Sequence, residues 1–186
     1  MTFRWLSGRA SRRRAGFMSD RSGISAVEFA LLLPVMTLLY LGQGELTQGL
    51  AIKRLVALTS GTVTNLVAQY TTISASTQMP DILDASAQVL TPYPSANATV
   101  VVTCITIDNK GVATVAWSQA LNGTGRTVGT IFPLPASLDT PKTTVILGET
   151  TYAYAPFYDF LHMGTVPLYS AVYMLPRAST TINLTP

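Results

Sequence analysis

The sequence predicts an α+β protein in which a long N-terminal helix packs on a small antiparallel sheet of about four strands. Three observations support this class. Residues 24–41 are almost uninterruptedly apolar, residues 52–70 repeat apolar side chains at helical spacing, and residues from 97 onward are rich in β-branched residues separated by turn signals. Because the strand patterns follow the helical ones instead of alternating with them, we expect an antiparallel sheet.

The composition indicates one globular core attached to an apolar appendage. The chain has 186 residues, of which 48% are hydrophobic and only 11% are charged, whereas about a quarter of a typical soluble domain is charged. This balance favours a membrane-linked or assembly-forming protein. We divide the chain into a basic leader (1–23), a membrane-spanning helix (24–41), an amphipathic helix (42–72) and an α+β domain (73–186).

The leader concentrates positive charge directly before the apolar run. Residues 1–23 contain six arginines and one aspartate, a formal charge of +5, whereas residues 24–186 contain six basic and eight acidic side chains, or about −2. Basic residues next to a hydrophobic helix are typical of a cytoplasmic N-terminus, so we expect no nucleic-acid partner, although arginine density alone would suit one. The leader charges are carried by Arg12, Arg13, Arg14 and Arg21, among others. Met18 is an alternative start.

Residues 24–41 are long enough to cross a membrane. As a helix, these 18 residues would span about 27 Å, close to the hydrocarbon thickness of a bilayer. Pro34 lies inside the run, where it removes one backbone hydrogen bond and is expected to kink the helix. A cleavable secretory signal is an alternative, because Gly42 and Gly44 form a small-x-small site that would leave Glu45 as the first residue.

Glu28 is the one carboxylate in this apolar run. A charge within hydrocarbon costs roughly 2–3 kcal/mol on insertion scales, and less near the interface. Two interpretations are open. In the first, the side chain reaches back to the headgroups or to the unsatisfied amides at the helix N-terminus. In the second, it pairs with a positive charge at the same depth, which the new α-amino group of a chain cut before Ile24 would supply.

A second helical pattern follows the apolar run. Gly42 and Gly44 are expected to mark the membrane exit or a flexible joint, and Gly61 to weaken the helix in its middle. Apolar residues recur at three- and four-residue spacing, which predicts an amphipathic helix with one face packed on a domain. These residues are Ile52, Leu55, Val56, Val63, Leu66, Val67 and Tyr70.

The segment after the amphipathic helix changes character. Residues 71–80 are polar and are expected to form a connector, and residues 81–90 to form a short helix. Pro80 and Asp81 begin that helix, because proline fits the first turn and acidic residues favour N-terminal positions.

The rest of the chain predicts four strands and leaves their order in the sheet open. Residues 98–107 and 112–119 form two strands joined by a turn at 108–111 (DNKG). A loop rich in glycine and proline follows at 122–141. Two further strands are predicted over 143–156 and 168–184.

No residue pattern predicts catalysis, a metal site or a cofactor. His162 is the only histidine, and spacing identifies neither a nucleophile nor an orienting group for it, so we expect a surface or packing role. The glycines of residues 123–129 (GTGRTVG) are spaced faintly like a phosphate loop but lack its GK[ST] ending. Cys104 is the one cysteine, so we expect burial as a small hydrophobe and no intrachain disulfide. The aromatic residues of 152–158 and 168–173 are expected in the core, with a contact surface for neighbours or a substratum as the alternative.

The start of the chain resembles a known family. Gly23, then four residues, then Glu28 and Phe29, after a basic leader and before ALLLPVM, is similar to the processing site of class III type IV prepilins of the tight-adherence (Tad, or Flp) system. Within that group, the segment GISAVEFALLLPV is especially similar to the TadE-like minor pseudopilins. The resemblance covers residues 22–36 and is loose beyond them.

The resemblance implies a processing and assembly site. A prepilin peptidase would cut between Gly23 and Ile24, and Glu28, the fifth residue of the mature chain, would pair with the N-terminal amine of a neighbouring subunit. The helix would be pilin-like and would bend at Pro34 during assembly. Phe29, where major Flp pilins carry tyrosine, and the long domain after the helix favour a minor pseudopilin over the major subunit.

The resemblance further implies a function, partners and a location. The function is assembly of the Tad/Flp type IV pilus, used in adhesion and surface attachment, without enzymatic activity. The partners are membrane lipid, the prepilin peptidase, other pilins and pseudopilins, and the Tad inner-membrane assembly platform. The protein would cross the bacterial inner membrane once, with its C-terminal domain periplasmic, and enter the extracellular pilus. An uncut single-pass anchor or a signal-peptide-exported periplasmic binding domain is the alternative.

Overall fold

Two helices and six strands make up the described residues. The structure, a computed structural model, describes residues 22–157 and 164–186. The chain forms two compact units, which divide between Gln43 and Gly44. The elements in chain order are α1 (Ser22–Ala68), β1 (Thr72–Ser74), α2 (Gln78–Gln88), β2 (Ala98–Ile107), β3 (Ala113–Leu121), β4 (Thr144–Tyr154), β5 (Val166–Met174) and β6 (Asn183–Thr185), with a 3-10 turn at Ser95–Asn97.

The first part of α1 exposes apolar side chains on every side. The large apolar residues between positions 24 and 40 are each 48–71% exposed. Because successive helical residues are about 100° apart, the consecutive exposed Leu31, Leu32 and Leu33 point in three different directions. An apolar surface all round a helix is expected in a membrane or in the core of an assembly.

α1 continues without interruption through the positions where the sequence predicts a kink or a joint. Pro34 lies inside the helix, where its missing N–H leaves one carbonyl without its intrahelical donor. Gly42 and Gly44 are also helical, so the predicted joint is not visible as a break in α1.

The second half of α1 buries one face, as predicted. The fully buried residues on that face are Ile52, Val56, Val63 and Val67. Their spacing of four, seven and four places them on one side of the helix, and Leu55 and Leu66 flank them at the edge of the core. Tyr70 was predicted to lie on this face, but α1 ends at Ala68 and Tyr70 is exposed.

Small residues let α1 approach the sheet closely. The hydroxyls of Ser60 and Thr64 are buried and donate back to the carbonyls of Val56 and Ser60, at 3.1 and 2.6 Å, so their burial leaves no donor unsatisfied. Gly148 of β4 faces them. A Cβ added at Gly148 would lie 2.0 Å from Thr64 Oγ1 and 2.9 Å from the Ser60 carbonyl oxygen. The crossing of α1 and β4 therefore requires glycine.

Four antiparallel strands form the main sheet, in the order β3-β2-β4-β5. This arrangement confirms the predicted α+β class. The strand predicted over residues 98–107 coincides with β2, which pairs with both β3 and β4: Val102 lies opposite Gln119 on one side and Gly148 on the other. The other predicted segments each overlap a strand but differ from it in their ends.

The predicted hairpin turn joins β2 to β3. Asp108 Oδ1 accepts hydrogen bonds from the backbone N–H groups of Lys110 and Val112, at 2.7 and 2.8 Å. Gly111 has a φ of +80°, a conformation that other residues rarely adopt. The DNKG sequence therefore supplies both the side-chain acceptor and the glycine that this turn needs.

The main sheet has an inner face, against α1 and α2, and an outer face. The inner face carries Val100, Val102, Cys104, Trp117 and Ile146, which pack with Val63 and Val67 of α1. One end of the outer face is apolar, with Ile105, Ile107, Val145 and Leu147 packed against Phe132 and Leu134 of the loop between β3 and β4. The other end of the outer face carries Thr99, Val101, Glu149 and Thr151.

α2 begins earlier than predicted. It covers Gln78–Gln88, whereas the predicted helix starts at Asp81. Pro80 still lies in the first turn, where its missing N–H costs no intrahelical bond, and Asp81 is the acidic residue of that turn. Its buried residues, including Met79, Ile82 and Leu83, join the core against the inner face.

A short parallel pair, β1 and β6, was not predicted. β1 lies inside the segment expected to be a connector, and Thr72 lies opposite Asn183 of β6. The last predicted strand, 168–184, is therefore two elements, β5 and β6, separated by an irregular stretch. Strands of three residues are too short to show a period of two.

The stretch between β5 and β6 closes the core. Ile182 is buried, and its carbonyl accepts a hydrogen bond from the indole Nε1–H of Trp117 at 2.8 Å. Cys104 Sγ lies 3.9 Å from the same carbonyl oxygen. The backbone N–H of Arg177 donates to the carbonyl of Ala68 at 2.8 Å, which satisfies one of the groups left free at the C-terminal end of α1.

Candidate functional site

The described residues of the predicted processing and assembly site lie together at the start of α1. Gly23 and Ile24 lie at the beginning of the described part of α1, and Glu28 follows Ile24 by four residues. Phe29 is exposed, and Pro34 lies further along the same helix. Outside the described residues lie the leader arginines Arg12, Arg13, Arg14 and Arg21, whose role stays a prediction.

The residue before the proposed cut is a glycine in the described part of α1. Glycine weakens a helix by about 1 kcal/mol relative to alanine, so opening of the helix at the Gly23–Ile24 bond costs less than it would at another residue. Among the described residues, a Cβ added at Gly23 would meet nothing within 4 Å. A larger residue at this position is therefore compatible with the fold of the described chain.

Glu28 is a single charge on an apolar surface. It lies on the same side of α1 as Ile24 and Leu32, because residues four apart stack on one helix face, and both neighbours are exposed. Within residues 22–157 and 164–186 the only salt bridge joins Arg126 to Glu149. No cation of the described residues therefore neutralises Glu28.

α1 is long and apolar enough to cross a membrane. Over Gly23–Ala68 it contains an 18-residue apolar window of which no part is buried. That exposure distinguishes it from the core helix of a soluble protein, whose apolar face is covered. A signal sequence near the N-terminus would meet the same criterion of length and composition.

The sequence also singles out His162 and the glycine-spaced segment 123–129. His162 lies outside the described residues. Residues 123–129 belong to an irregular loop between β3 and β4, and a phosphate loop instead joins a strand to a helix. In the part of the chain that the structure describes, no group of three or more His, Cys, Asp or Glu side chains could hold a metal ion.

Cys104 is buried, as predicted. Its side chain lies on the inner face of β2 and is 1% exposed. Burial raises the pKa of the Cys104 thiol to about 12, because a thiolate is poorly solvated in the core. The thiol therefore behaves as a small apolar group and not as a nucleophile.

We expect Cys104 to resist alkylation in the folded protein. With a pKa of about 12, roughly one thiol in ten thousand is ionised at pH 8, and only the thiolate reacts. Treatment with iodoacetamide at pH 8, followed by mass spectrometry, should add no label to the folded chain and one label after denaturation in urea. Rapid labelling of the folded chain would contradict the burial of this residue.

Sequence reasoning missed a polar cluster on the outer face of the sheet. The terminal nitrogens of Arg126 both donate to the carboxylate of Glu149, and the Nη2–Oε1 distance is 3.0 Å. Tyr169 of β5 donates its hydroxyl to Glu149 Oε1 at 2.7 Å. The guanidinium carbon of Arg126 lies 5.0 Å from the ring centre of Phe132. The cluster therefore fastens the loop between β3 and β4 to two strands.

Arg126 and Tyr169 keep their protons through the physiological pH range, because both have raised pKa values. Hydrogen bonding to Glu149 raises the pKa of Arg126. Burial, followed by the hydrogen bond to Glu149, raises the pKa of Tyr169 to about 12. The partners are 23 and 20 residues apart in sequence, so no local spacing predicts the cluster. The one signal for this cluster in the sequence was Glu149, the only charged residue of the strand predicted over 143–156.

The described residues combine an exposed apolar helix, of a length that can span a membrane, with a unit built on a four-stranded antiparallel sheet. Comparison of the chain with protein-family models, with curated proteins and with solved structures gives no match. Its function is therefore inferred from its own residues and their geometry.

Proposed function

We propose that this protein is a TadE-like minor pseudopilin, which a prepilin peptidase cuts after Gly23 and which takes part in assembly of the Tad/Flp type IV pilus. The main observation that supports this function is the environment of Glu28. Glu28 is a carboxylate on a helix whose exposed neighbours are apolar, and no cation of the described residues pairs with it. Its position, five residues after Gly23 and just before Phe29, matches that of the glutamate in the prepilins that this chain resembles.

Removal of the leader would create the missing cation. A cut between Gly23 and Ile24 gives Ile24 a free α-amino group, whose ordinary pKa is about 8, so most of it is protonated at neutral pH. Four helical residues correspond to about 6 Å along the axis. A shift of about one helical turn between neighbouring subunits would therefore bring the amine of one chain beside Glu28 of the next.

The apolar surroundings make this pairing selective for assembly. The attraction between opposite charges grows as the local dielectric constant falls, and an unpaired carboxylate in hydrocarbon is costly. In the assembled state, pairing with the α-amino group of a neighbour removes the free-energy cost that the unpaired Glu28 carboxylate has in the free subunit. The exposed side chains around Glu28, including Phe29 and Leu32, supply apolar contacts with neighbouring helices, and Pro34 weakens the helix where it has to adjust.

The proposal includes a location and partners. α1 crosses the bacterial inner membrane once, the arginine leader keeps the N-terminus cytoplasmic, and the α+β unit lies in the periplasm or on the pilus. The partners are membrane lipid, the prepilin peptidase, other pilins and pseudopilins, and the inner-membrane assembly platform. The proposal assigns the chain no catalytic activity, cofactor or nucleic-acid partner.

Mass spectrometry of the N-terminus tests this function on protein purified from its native membrane. A chain that begins at Ile24 is expected. A chain that begins at Glu45 would identify an ordinary signal peptide, and a chain that keeps its leader would identify a plain membrane anchor. Either of these results would overturn the proposal and favour a tethered or exported binding domain.

We expect Glu28→Ala to leave membrane insertion intact and to reduce incorporation into pili at least tenfold. The substitution removes an insertion cost of roughly 2–3 kcal/mol, and it leaves the α-amino group of a neighbour unpaired, which is costly in an apolar setting. Immunoblots of sheared pili and of the membrane fraction measure the two effects separately.

Two variants of the same residue control this experiment. Glu28→Gln keeps the length of the side chain without its charge and should behave like Glu28→Ala. Glu28→Asp keeps the charge on a side chain one methylene shorter and should retain part of the incorporation. If the alanine variant is present at a normal level in the membrane and is incorporated into pili as well as the natural protein, Glu28 has no role in assembly.

A further inference from the structure

The outer face of the sheet carries an open cleft beside the Arg126–Glu149 pair, which we call the outer cleft. Its volume is about 280 Å³, close to the roughly 300 Å³ at which small-molecule pockets begin. A ligand of monosaccharide size would fill it. The residues that line the outer cleft are Thr99, Val101, Thr124, Arg126, Glu149, Thr151 and Tyr169.

The charges of the outer cleft cancel. Arg126 and Glu149 are the charged residues that line it, and they form a two-pronged ion pair. Their side chains are 33% and 12% exposed, so the pair is only partly open to solvent. A charged ligand would have to compete with this pair for one of its members, and the outer cleft therefore favours an uncharged ligand.

Several polar groups in the outer cleft have unused hydrogen-bonding capacity. The hydroxyls of Thr124 and Thr151 have no hydrogen-bond partner among the described residues. Thr99 donates its hydroxyl to a loop carbonyl at 3.1 Å and can still accept a bond. The guanidinium group of Arg126 has five N–H donors, of which its side-chain partners engage three. The outer cleft thus offers both donors and acceptors to a ligand rich in hydroxyls.

Apolar surface lies between these polar groups. Thr99 lies opposite Thr151, and Thr151 lies opposite Tyr169, so the three side chains form one row across the outer face. Val101 lies beside this row, and Tyr169 is 48% exposed. A sugar has the same mixed character, with hydroxyls at the edge of its ring and C–H groups on its faces. Such C–H groups pack favourably on the electron-rich face of an aromatic ring.

A solvated sheet surface would explain the threonines of the outer cleft, because β-branched polar residues suit such a surface. Solvation of the sheet would not explain why the loop between β3 and β4 lies against the sheet and makes this part of the outer face concave. A Cβ added at Gly123 would lie 2.5 Å from Thr99 Cγ2, and one added at Gly125 would lie 2.7 Å from the Ser118 carbonyl oxygen. Two glycines therefore hold the loop against the sheet, and the outer cleft is formed before any ligand arrives.

We propose that the outer cleft binds a neutral sugar residue, with Thr124, Thr151 and Arg126 hydrogen-bonding its hydroxyls and Tyr169 packing on its ring. The sugar belongs either to the N-acetylated, uncharged amino sugars of a cell wall or to a polymer of plain hexoses, which share the ring and the hydroxyl groups. This inference is independent of cleavage at Gly23 and of assembly into pili.

Saturation-transfer NMR on the full chain tests this proposal. The protein is held in a detergent without a sugar headgroup, and the probes are glucose, N-acetylglucosamine and the charged analogues glucuronate and glucosamine. We expect a neutral probe to bind with a dissociation constant of roughly 1 mM and the charged analogues to bind more weakly. Preference for N-acetylglucosamine over glucose would identify the cell-wall source, and the reverse preference would identify a hexose polymer.

A matched pair of substitutions locates the binding. Thr151→Val removes a hydroxyl that has no partner in the described protein, so it should weaken binding by roughly two- to tenfold, the range of one neutral hydrogen bond, without loss of stability. Thr106→Val makes the same change on β2 outside the outer cleft and should leave binding unchanged. Equal effects of the two substitutions, tighter binding of a charged analogue, or no binding of any neutral probe would each overturn the proposal and leave Arg126–Glu149 as a structural ion pair.

Discussion

Gly148→Ala should destabilise the α+β unit by about 3 kcal/mol, at the upper end of the usual cost of overfilling a packed core. The new Cβ would lie 2.0 Å from Thr64 Oγ1, 2.9 Å from the Ser60 carbonyl oxygen and 3.0 Å from Val63 Cγ1. One of these atoms belongs to the helix backbone, so rotation of a side chain cannot remove the clash. α1 would have to move away from β4, which would weaken the packing of the inner face. Thermal unfolding of the full chain in detergent, followed by near-ultraviolet circular dichroism, measures the loss.

Gly61→Ala is the matched control for this experiment. Gly61 lies on the same helix as Thr64, and a Cβ added there would meet none of the described residues within 4 Å. Alanine is favoured over glycine in a helix interior by about 1 kcal/mol, so this variant should be as stable as the natural protein or slightly more stable. A Gly148→Ala variant with unchanged stability would show that α1 and β4 are not in close contact.

Gly23→Val should abolish removal of the leader. The described residues leave open space at this position, so the substitution should not disturb their fold, and any effect arises when the chain meets the peptidase. A branched side chain on the residue before the cut would exclude the chain from a site that accepts glycine. The product should be heavier than the mature protein by the mass of residues 1–23, as measured by mass spectrometry of the purified membrane fraction.

Gly44→Val separates this result from ordinary signal processing. Gly44 is also on α1, and a Cβ added there also meets nothing within 4 Å. If a signal peptidase cut before Glu45, only the substitution at Gly44 would block cleavage, because that enzyme requires a small residue before the cut. If a prepilin peptidase cuts after Gly23, only the substitution at Gly23 will block it. Normal processing of Gly23→Val would mean that the proposed cleavage site is misplaced.

Local patterns were sufficient to predict the elements that bury one face. β2 was predicted with its observed ends because β-branched residues fill it and the DNKG turn limits it. The second half of α1 was predicted because its buried residues recur once per turn, and only Tyr70 was assigned wrongly, since α1 ends before it. The spacing of apolar residues in a sequence indicates which of them face a core, and it does so without information about the other elements that form that core.

Contacts between distant residues could not be predicted in the same way. Sheet order depends on which strands meet, and β2 pairs with β4 across the loop at residues 122–143. The pairing of Arg126 with Glu149 depends on the path of that loop, and so does the outer cleft. The predicted site at the start of α1 is different, because Gly23, Glu28 and Phe29 form a local motif whose proposed partners lie on other molecules.

The pairing of β1 with β6 imposes an order on biosynthesis. The two strands are separated by about 110 residues, and Ile182, just before β6, provides the acceptor for the indole of Trp117. A nascent polypeptide that has emerged only as far as β5 therefore lacks β6 and the Ile182 carbonyl that accepts the hydrogen bond of this indole. Contacts between residues so far apart form slowly, and incompletely folded chains are exposed to proteases and aggregation. The pair of β1 and β6 therefore forms late, because β1 must wait for residues 183–185 before it can complete its hydrogen bonds.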